Sequence, residues 1–574
     1  MTRSFKRAQA TIAAALLAAG VLLGAPTAAA GADVADSQTE YVVLAEQGAS
    51  ATDVVAAIGA AGGTVISRNA AIGSFKVLGP RTGFVLAVSA SAAVFGATRE
   101  RAIGRTPGAA PVKVSDPEVE KIHNGGGTQR NGGSKAKMDP LDSLAWGLAM
   151  VKADRARKVE DGSRRVLVGI LDSGIDASHP DLAGQLETRL SRNFTTDIPE
   201  VDGPCEVPSC VDPPTADDSG HGTHVAGTVA AAANGLGVSG VAPGVRLVSI
   251  RGGQDSGFLF LGPVTNALTY GADIGVDVIN MSFYVDPWLY NCIANPADSP
   301  EAQAEQRTII TAMNRALDYA HSKYVTLVGS LGNNHEDLGH PRTDFSSPDF
   351  PPVPDITYPR PIDNATCWDL PVEGHHVIGV SALGPSTAKA DYSNYGLEQI
   401  SVSAPGGWFR DGFGTPTFRT NGNQILSTYP LHVLQEGGQV DADGNITPAG
   451  EALGIMKDCK GSTCGYYAYL QGTSMASPHA TGVAALAVSR FGDKDPRHKG
   501  GLRLAPWKTE LVLTKGAAEH ACPVPPLFSY ENVGRAPEFN ALCEGKKKFN
   551  GFYGHGIVDA YATVTRKFKF DDDD

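Results

Sequence analysis

The sequence runs to 574 residues, 42% of them hydrophobic and 19% charged, with 67 Gly and 37 Pro. That composition excludes collagen and wholesale disorder, and the length allows several average domains or fewer with one large α/β core. Lys and Arg number 48 against 61 Asp and Glu, a net charge of −13 with no dense basic stripe, which argues against nucleic-acid binding.

At the start of the chain, Arg3, Lys6 and Arg7 precede an uncharged apolar run from Ile12 to Leu23, then Pro26 and the small residues Ala28, Ala29 and Ala30. This is the pattern of a secretory signal peptide. The run falls well short of the ~20 residues a membrane helix needs. Residues 1–30 are therefore expected to leave on export, giving a secreted, extracellular chain with no membrane contact. Residues 41 to about 104 read as a miniature α+β unit. It has a strand-like run Tyr41 to Ala45, a helix Ser50 to Ala61 stopped by Gly62 and Gly63, strand-like runs Gly63 to Ser67 and Phe75 to Leu78, and a last Ala-rich helix. From Thr106 to Lys137 the composition turns to Gly, Pro, Lys and Asn, as in a flexible linker.

Beyond the linker, short β-branched runs alternate with helical stretches: Val166 to Leu171, Val245 to Ile250, Val276 to Ile279, Val325 to Val328, Val377 to Val380 and Ile400 to Val402. Several lack polar alternation, which suits strands buried on both faces of a parallel sheet flanked by helices. Ile309, Met313, Ala316, Leu317 and Ala320 repeat at helical spacing and predict one core-facing helix. All eight cysteines follow the export signal, an even number suited to disulfides. Cys205 with Cys210 and Cys459 with Cys464 are local pairs, which leaves Cys292 with Cys367 and Cys522 with Cys543. A zinc site is the rival, but no CxxC occurs and His is not clustered nearby.

Reactive groups in α/β sheets gather at the carboxyl ends of strands. The first run ends in Asp172-Ser173-Gly174, a helix is expected to begin at His221 in His221-Gly222-Thr223-His224, and Gly472-Thr473-Ser474-Met475-Ala476-Ser477-Pro478-His479 opens a long Ala-rich helix. Singly these read as a strand-end turn, a His pair without a third ligand, and an N-cap Ser. Together, Asp, His and Ser in that chain order match one of the orders in which the hydrolytic triad geometry is built. The α/β-hydrolase alternative fails, because Ala476 stands where its elbow needs Gly and its chain order would begin with Ser. An uncharged Ser hydroxyl needs a neutral imidazole to take its proton and a carboxylate to hold that imidazole. Ser474 is the expected nucleophile, His221 the general base and then acid, and Asp172 the orienting carboxylate.

These three segments resemble the signatures of the subtilisin-like serine proteases. The resemblance extends from about Leu141 to Val564, closing on Gly554 to Ala560. It implies a signal peptide (1–30), a propeptide acting as intramolecular chaperone and inhibitor (31–104), a linker holding the maturation site (105–140) and a catalytic domain (141–574). It also implies a secreted, monomeric endopeptidase acting on polypeptides through an acyl-enzyme, with no cofactor for catalysis. A catalytically silent binding protein of the same fold and a dedicated precursor-processing protease are the competing readings. Asn333 is similar to the family's oxyanion amide, with Asn334 one position away as the alternative register. Asn280-Met281-Ser282 and Ser330-Leu331-Gly332 match the backbone segments that flank substrate, where Phe283 and Tyr284 replace the usual small residues. The resemblance implies a structural calcium held through Asp181 and Asn234, oxygen donors of the kind calcium takes. It also implies a place for Asp369 at the base of the primary specificity pocket. Residues 335–370 and 407–465 are expected to be extra loops.

Overall fold

Alternation hidden inside an apolar run organises the N-terminal unit. Strand β1 (Gln38–Ala45) sends Tyr41 and Val43 to one side and Val42 and Leu44 to the other, and all four are buried. The computed structural model describes residues 38–105, 138–283, 288–348 and 357–570, so the export signal and nearly all of the expected linker lie outside the described residues. Helix α1 (Ala51–Ala60) begins at Ser50, whose hydroxyl accepts from the Asp53 N–H. Strands β2 (Thr64–Asn69) and β3 (Ser74–Pro80), helix α2 (Phe84–Ser89) and strand β4 (Val94–Arg99) complete an antiparallel sheet in the order β2-β3-β1-β4. The Ala-rich helix is shorter than expected, because Val94 and Ala97 leave it to pack as strand residues.

The expected parallel sheet is present, with all six expected strands: β6 (Leu167–Leu171), β8 (Arg246–Arg251), β10 (Val278–Met281), β11 (Thr326–Ser330), β12 (Val377–Leu383) and β13 (Ile400–Pro405). A seventh, β7 (Arg192–Asn193), was hidden in the sequence by its two-residue length, and the order is β13-β12-β11-β10-β6-β8-β7. Helices α3 (His221–Ala230) and α6 (Thr473–Phe491) cover one face. Helices α4 (Leu261–Asp273) and α5 (Pro300–Ser322) cover the other, with Ile309, Met313 and Leu317 of α5 in its core. The four expected disulfides all form. Residues 407–465 correct the expectation of loops. They contain β14 (Ile425–Thr428) and β15 (Met456–Lys460), which join β16 (Thr463–Leu470) in an antiparallel sheet whose short strands were masked by intervening Gly and Asp turns.

The N-terminal unit lies on α4 and α5. Val42, Leu44 and Ile72 enter the core that these helices share. Asn69 Nδ2 donates to Asn266 Oδ1 at 2.9 Å and Thr269 Oγ1 at 2.8 Å, and Arg315 Nη1 donates to the Ala45 carbonyl at 2.9 Å. Glu100 accepts from the Gly262 N–H at 2.9 Å, at the positive end of α4. Strand β5 (Ala102–Arg105) then pairs antiparallel with β9 (Phe258–Phe260), aligning Arg105 with Phe258 and Ala102 with Phe260.

Burial pushes the Glu100 carboxyl up to about 7, against the opposing pull of the Gly262 N–H and Lys76. A carboxyl raised on docking takes up a proton. The interface is therefore strongest below the ordinary value of 4.5 and loses that contribution as pH rises through about 7. Glu100→Gln keeps an acceptor for Gly262 and removes the titration. Hydrogen exchange of the β1 amides should match wild type at pH 5. At pH 8 the variant should be protected by about tenfold or more relative to wild type.

Candidate active site

Register places the candidate residues side by side. Leu171 of β6 pairs with Met281 of β10, and Met281 pairs with Gly329 of β11. The residues that follow, Asp172, Ser282 and Ser330, therefore occupy neighbouring positions along the carboxyl edge, one strand spacing of about 4.8 Å apart. His221 enters from the first turn of α3, and its Nδ1 lies 2.8 Å from Asp172 Oδ1, both side chains buried. Asp172 Oδ1 also accepts from the Ser173 N–H at 2.8 Å, which fixes the carboxylate against rotation. Ser474 stands in the first turn of α6, and its hydroxyl donates to the Ser282 carbonyl at 3.2 Å.

Asn333 follows β11, and its Oδ1 accepts from both the N–H and the hydroxyl of Thr473, at 2.9 and 2.8 Å. With that oxygen committed beside Ser474, the Nδ2 edge of the amide is its donor edge. Asn334 is oriented differently: its N–H donates to Asn394 Oδ1. The expected substrate-flanking residues have mixed fates. The Ser282 hydroxyl donates to the Ser474 carbonyl at 3.0 Å and meets Ser477 Oγ at 2.7 Å, so this side chain braces α6. The Leu331 N–H goes to Val380, and the N–H and carbonyl of Gly332 go to Thr473 and Asn394. Ser330-Leu331-Gly332 is thus a wall in which the N–H groups of Leu331 and Gly332 point into the protein. Tyr284 lies outside the described residues, and Phe283 is buried.

Behind that wall sits Asp369. A Cβ at Gly332, whose φ is +99°, would stand 2.5 Å from Asn394 Nδ2 and 3.3 Å from Asp369 Oδ2. Glycine is required there, and its absent side chain lets the backbone approach the carboxylate. Glu373 accepts from the Asp369 N–H at 2.6 Å and is pushed up to about 8 by burial. Burial, followed by Glu336, Asp369 and Glu373, raises the Tyr290 hydroxyl well above its usual range. The floor behind Gly332 is rich in acid.

Two features escape motif reading. The first is Asp217, a buried carboxylate that accepts from Ser173 Oγ, the Gly220 N–H, and both the N–H and hydroxyl of Thr223. It ties the start of α3 to the residue after Asp172, and its signal was an Asp four residues before His221. The second is β9, an edge that already holds β5 in antiparallel pairing; the apolar Phe258-Leu259-Phe260 after Gly257 was its only trace. His224 is neutral and structural: its Nε2 faces the carbonyls of Ile425 and Ala468, and burial lowers it to about 3.

The expected calcium cage is not built at Asp181 and Asn234. The two side chains meet, but Asn234 turns Nδ2 toward Asp181 Oδ1 at 2.9 Å and spends its oxygen on the Leu236 N–H. Tyr467 OH donates to Asp181 Oδ2 at 2.7 Å, Lys460 Nζ donates to the Asn234 carbonyl at 2.7 Å, and the Gly237 N–H goes to Asp458. Calcium takes six to eight oxygens, whereas here the oxygens already hold N–H and O–H donors, two of them from the β15–β16 hairpin. These residues, so arranged, do not fit the ion.

The sequence profile of the subtilase family matches residues 163–556. Subtilisin DY of Bacillus licheniformis is 28% identical over 351 residues, 61% of this chain and 86% of its own length. Fervidolysin of Fervidobacterium pennivorans is 27% identical over 390 residues, 66% of this chain and 42% of its own. Among solved structures, the epidermin leader peptide processing serine protease of Staphylococcus aureus is similar in fold. It has a TM-score of 0.58 at 17% identity, over 93% of this chain and 100% of that one.

Asp217→Asn should test the tie at the start of α3. The amide would turn a donor toward groups that all donate, so stability should fall by about 3 kcal/mol, read as a lower denaturation midpoint at unchanged slope.

Proposed function

This chain belongs to the subtilase family and is a subtilisin-like serine endopeptidase that needs no cofactor for catalysis, and we propose that Ser474, His221 and Asp172 carry its chemistry. The buried 2.8 Å contact between His221 Nδ1 and Asp172 Oδ1 is the observation that carries this reading. A carboxylate on Nδ1 selects the tautomer whose Nε2 can accept the Ser474 proton, and it stabilises the imidazolium that results. Ser474 then attacks the peptide carbonyl, and His221 returns the proton to the departing amine. Water repeats the sequence on the acyl-enzyme. The negative oxygen of each tetrahedral intermediate would meet the Ser474 N–H at the start of α6 and Asn333 Nδ2, a donor pair worth ~10²–10³ in turnover for the amide alone; that magnitude comes from a member of this family.

The N-terminal unit acts in this reading as a propeptide, and the chain is exported as a monomeric zymogen. Support comes from β5, which lies along β9 as an extended antiparallel strand, the pairing by which a peptide adds to an exposed edge. The N-terminal signal pattern and the four disulfides support export. No helix among the described residues is long and apolar enough to cross a membrane. The acid floor behind Gly332 favours a selective enzyme with Arg or Lys before the scissile bond, as a precursor-processing protease would require.

Ser474→Ala should lower turnover by about 10⁶-fold and leave the chain unprocessed, its N-terminal unit still attached when mass spectrometry reads the N-terminus. A fluorophosphonate should label Ser474 in the parent and nothing in the variant. Labelling at another serine, or unchanged turnover, would overturn the assignment. For the pocket, kcat/KM on matched substrates with Arg and Phe before the scissile bond should favour Arg. Asp369→Gly should bring that ratio down by at least about tenfold; an unchanged ratio places Asp369 outside the pocket.

A further inference from the structure

Away from the strand edge, the loop between β7 and α3 and the turn before β9 bring four carboxylates together. Asp197, Glu206, Asp212 and Asp255 each contribute an oxygen lying within 4.8 Å of the others. Three of these side chains are buried, and Glu206 is exposed at the rim. Arg251, at the end of β8, is the cation that faces them. Its Nη2 bonds Asp255, lies 2.9 Å from Asp212 Oδ2 and stays 4.0 Å from Asp197 Oδ1. One guanidinium among four carboxylates leaves an excess of negative charge in a largely buried place, which is costly unless it is paired.

Asp197 makes the deficit specific. It is 4% exposed, and both of its carboxylate oxygens are shut off from solvent without accepting a single hydrogen bond. Asp255 Oδ2 is likewise buried without a hydrogen-bond donor. A fold that supplies four donors to Asp217 supplies none to Asp197.

We propose that Asp197, Glu206, Asp212 and Asp255 form a calcium site that clamps the loop carrying the Cys205–Cys210 disulfide onto the turn that leads into β9. The donor set is all hard oxygen, with no nitrogen or sulfur. Calcium accepts such a set in a flexible shell of six to eight oxygens, whereas magnesium demands a near-ideal octahedron and keeps several of its waters. The loop and turn already touch: Asp202 accepts from the Ser256 N–H at 3.0 Å, and Ile198 and Val201 pack on Phe258 and Phe260. An ion here would therefore set the position of the edge to which β5 pairs. The inference is independent of the assignment of Ser474.

Thermal melting of the full Ser474→Ala chain, stripped with EGTA and returned to millimolar Ca²⁺ at pH 8, tests the site in the absence of self-digestion. Calcium should raise Tm by roughly 5 °C, and calorimetric titration should show saturable binding. Asp197→Asn should abolish the calcium response, whatever it does to the basal Tm. Glu206→Gln, at the exposed rim, should fold as the parent does and weaken calcium binding by about tenfold. Asp181→Asn should leave the response intact. No response in the parent, an equal response to Mg²⁺, or a response lost in Asp181→Asn and kept in Asp197→Asn would each overturn the proposal.

Discussion

Helix α6 is buried at every residue from Thr473 to Val488, and a helix without a solvent face over that length must be wrapped. That demand accounts for much of the architecture. The sheet covers one side of α6, α3 another, and the β14–β16 sheet closes over α3, where Ser427 and Thr428 donate to the carbonyls of His224 and Thr223. It also governs the chemistry. Every polar side chain on α6 needs a partner in the interior, so Thr481 donates to Asn280, Ser477 meets Ser282, and Thr473 meets Asn333. The bonds that satisfy the helix are the ones that deliver its first turn to the carboxyl edge of the sheet.

How far this was legible from the residues depends on how local each feature is. The six long strands could be read because a β-branched run buried on both faces needs no partner to be recognised. Asp172, His221 and Ser474 could be read because motif and chain order coincide. What escaped is defined by contact between distant segments. Gly227 looks like an ordinary helical glycine, yet a Cβ there would stand 2.2 Å from Thr428 Oγ1, two hundred residues on. Lys460 and Tyr467 look like hairpin decoration, and they close the loop where calcium was expected. Resemblance carried over the acid and the amide at that corner but could not carry the hairpin, which lies in an inserted stretch.

Buried cations show how this chain handles charge in its interior. Arg360 is fully buried, yet it is met by Asp298 at 2.9 Å, Asp344 at 3.0 Å and the Tyr290 carbonyl at 3.1 Å, so it anchors the 335–370 segment as a paired charge. Lys389 is buried among the rings of Tyr395, Tyr530 and Phe552 and donates to the carbonyls of Ala390 and Ser393. Burial drives it down to about 7. The guanidinium is met by carboxylates, whereas the ammonium, among rings and carbonyls, is eased toward neutrality.

Strand β1 belongs to two interiors at once. Tyr41 and Val43 answer to α1 and α2, while Val42 and Leu44 answer to α4 and α5. Neighbouring codons in one short strand are therefore under selection from different quarters. Drift at the first pair can be absorbed within the N-terminal unit, whereas drift at the second must be matched by changes more than two hundred positions downstream. A homologous unit exchanged between two such proteins would carry its own fold with it. Whether it still recognised its host would turn on every second residue of β1.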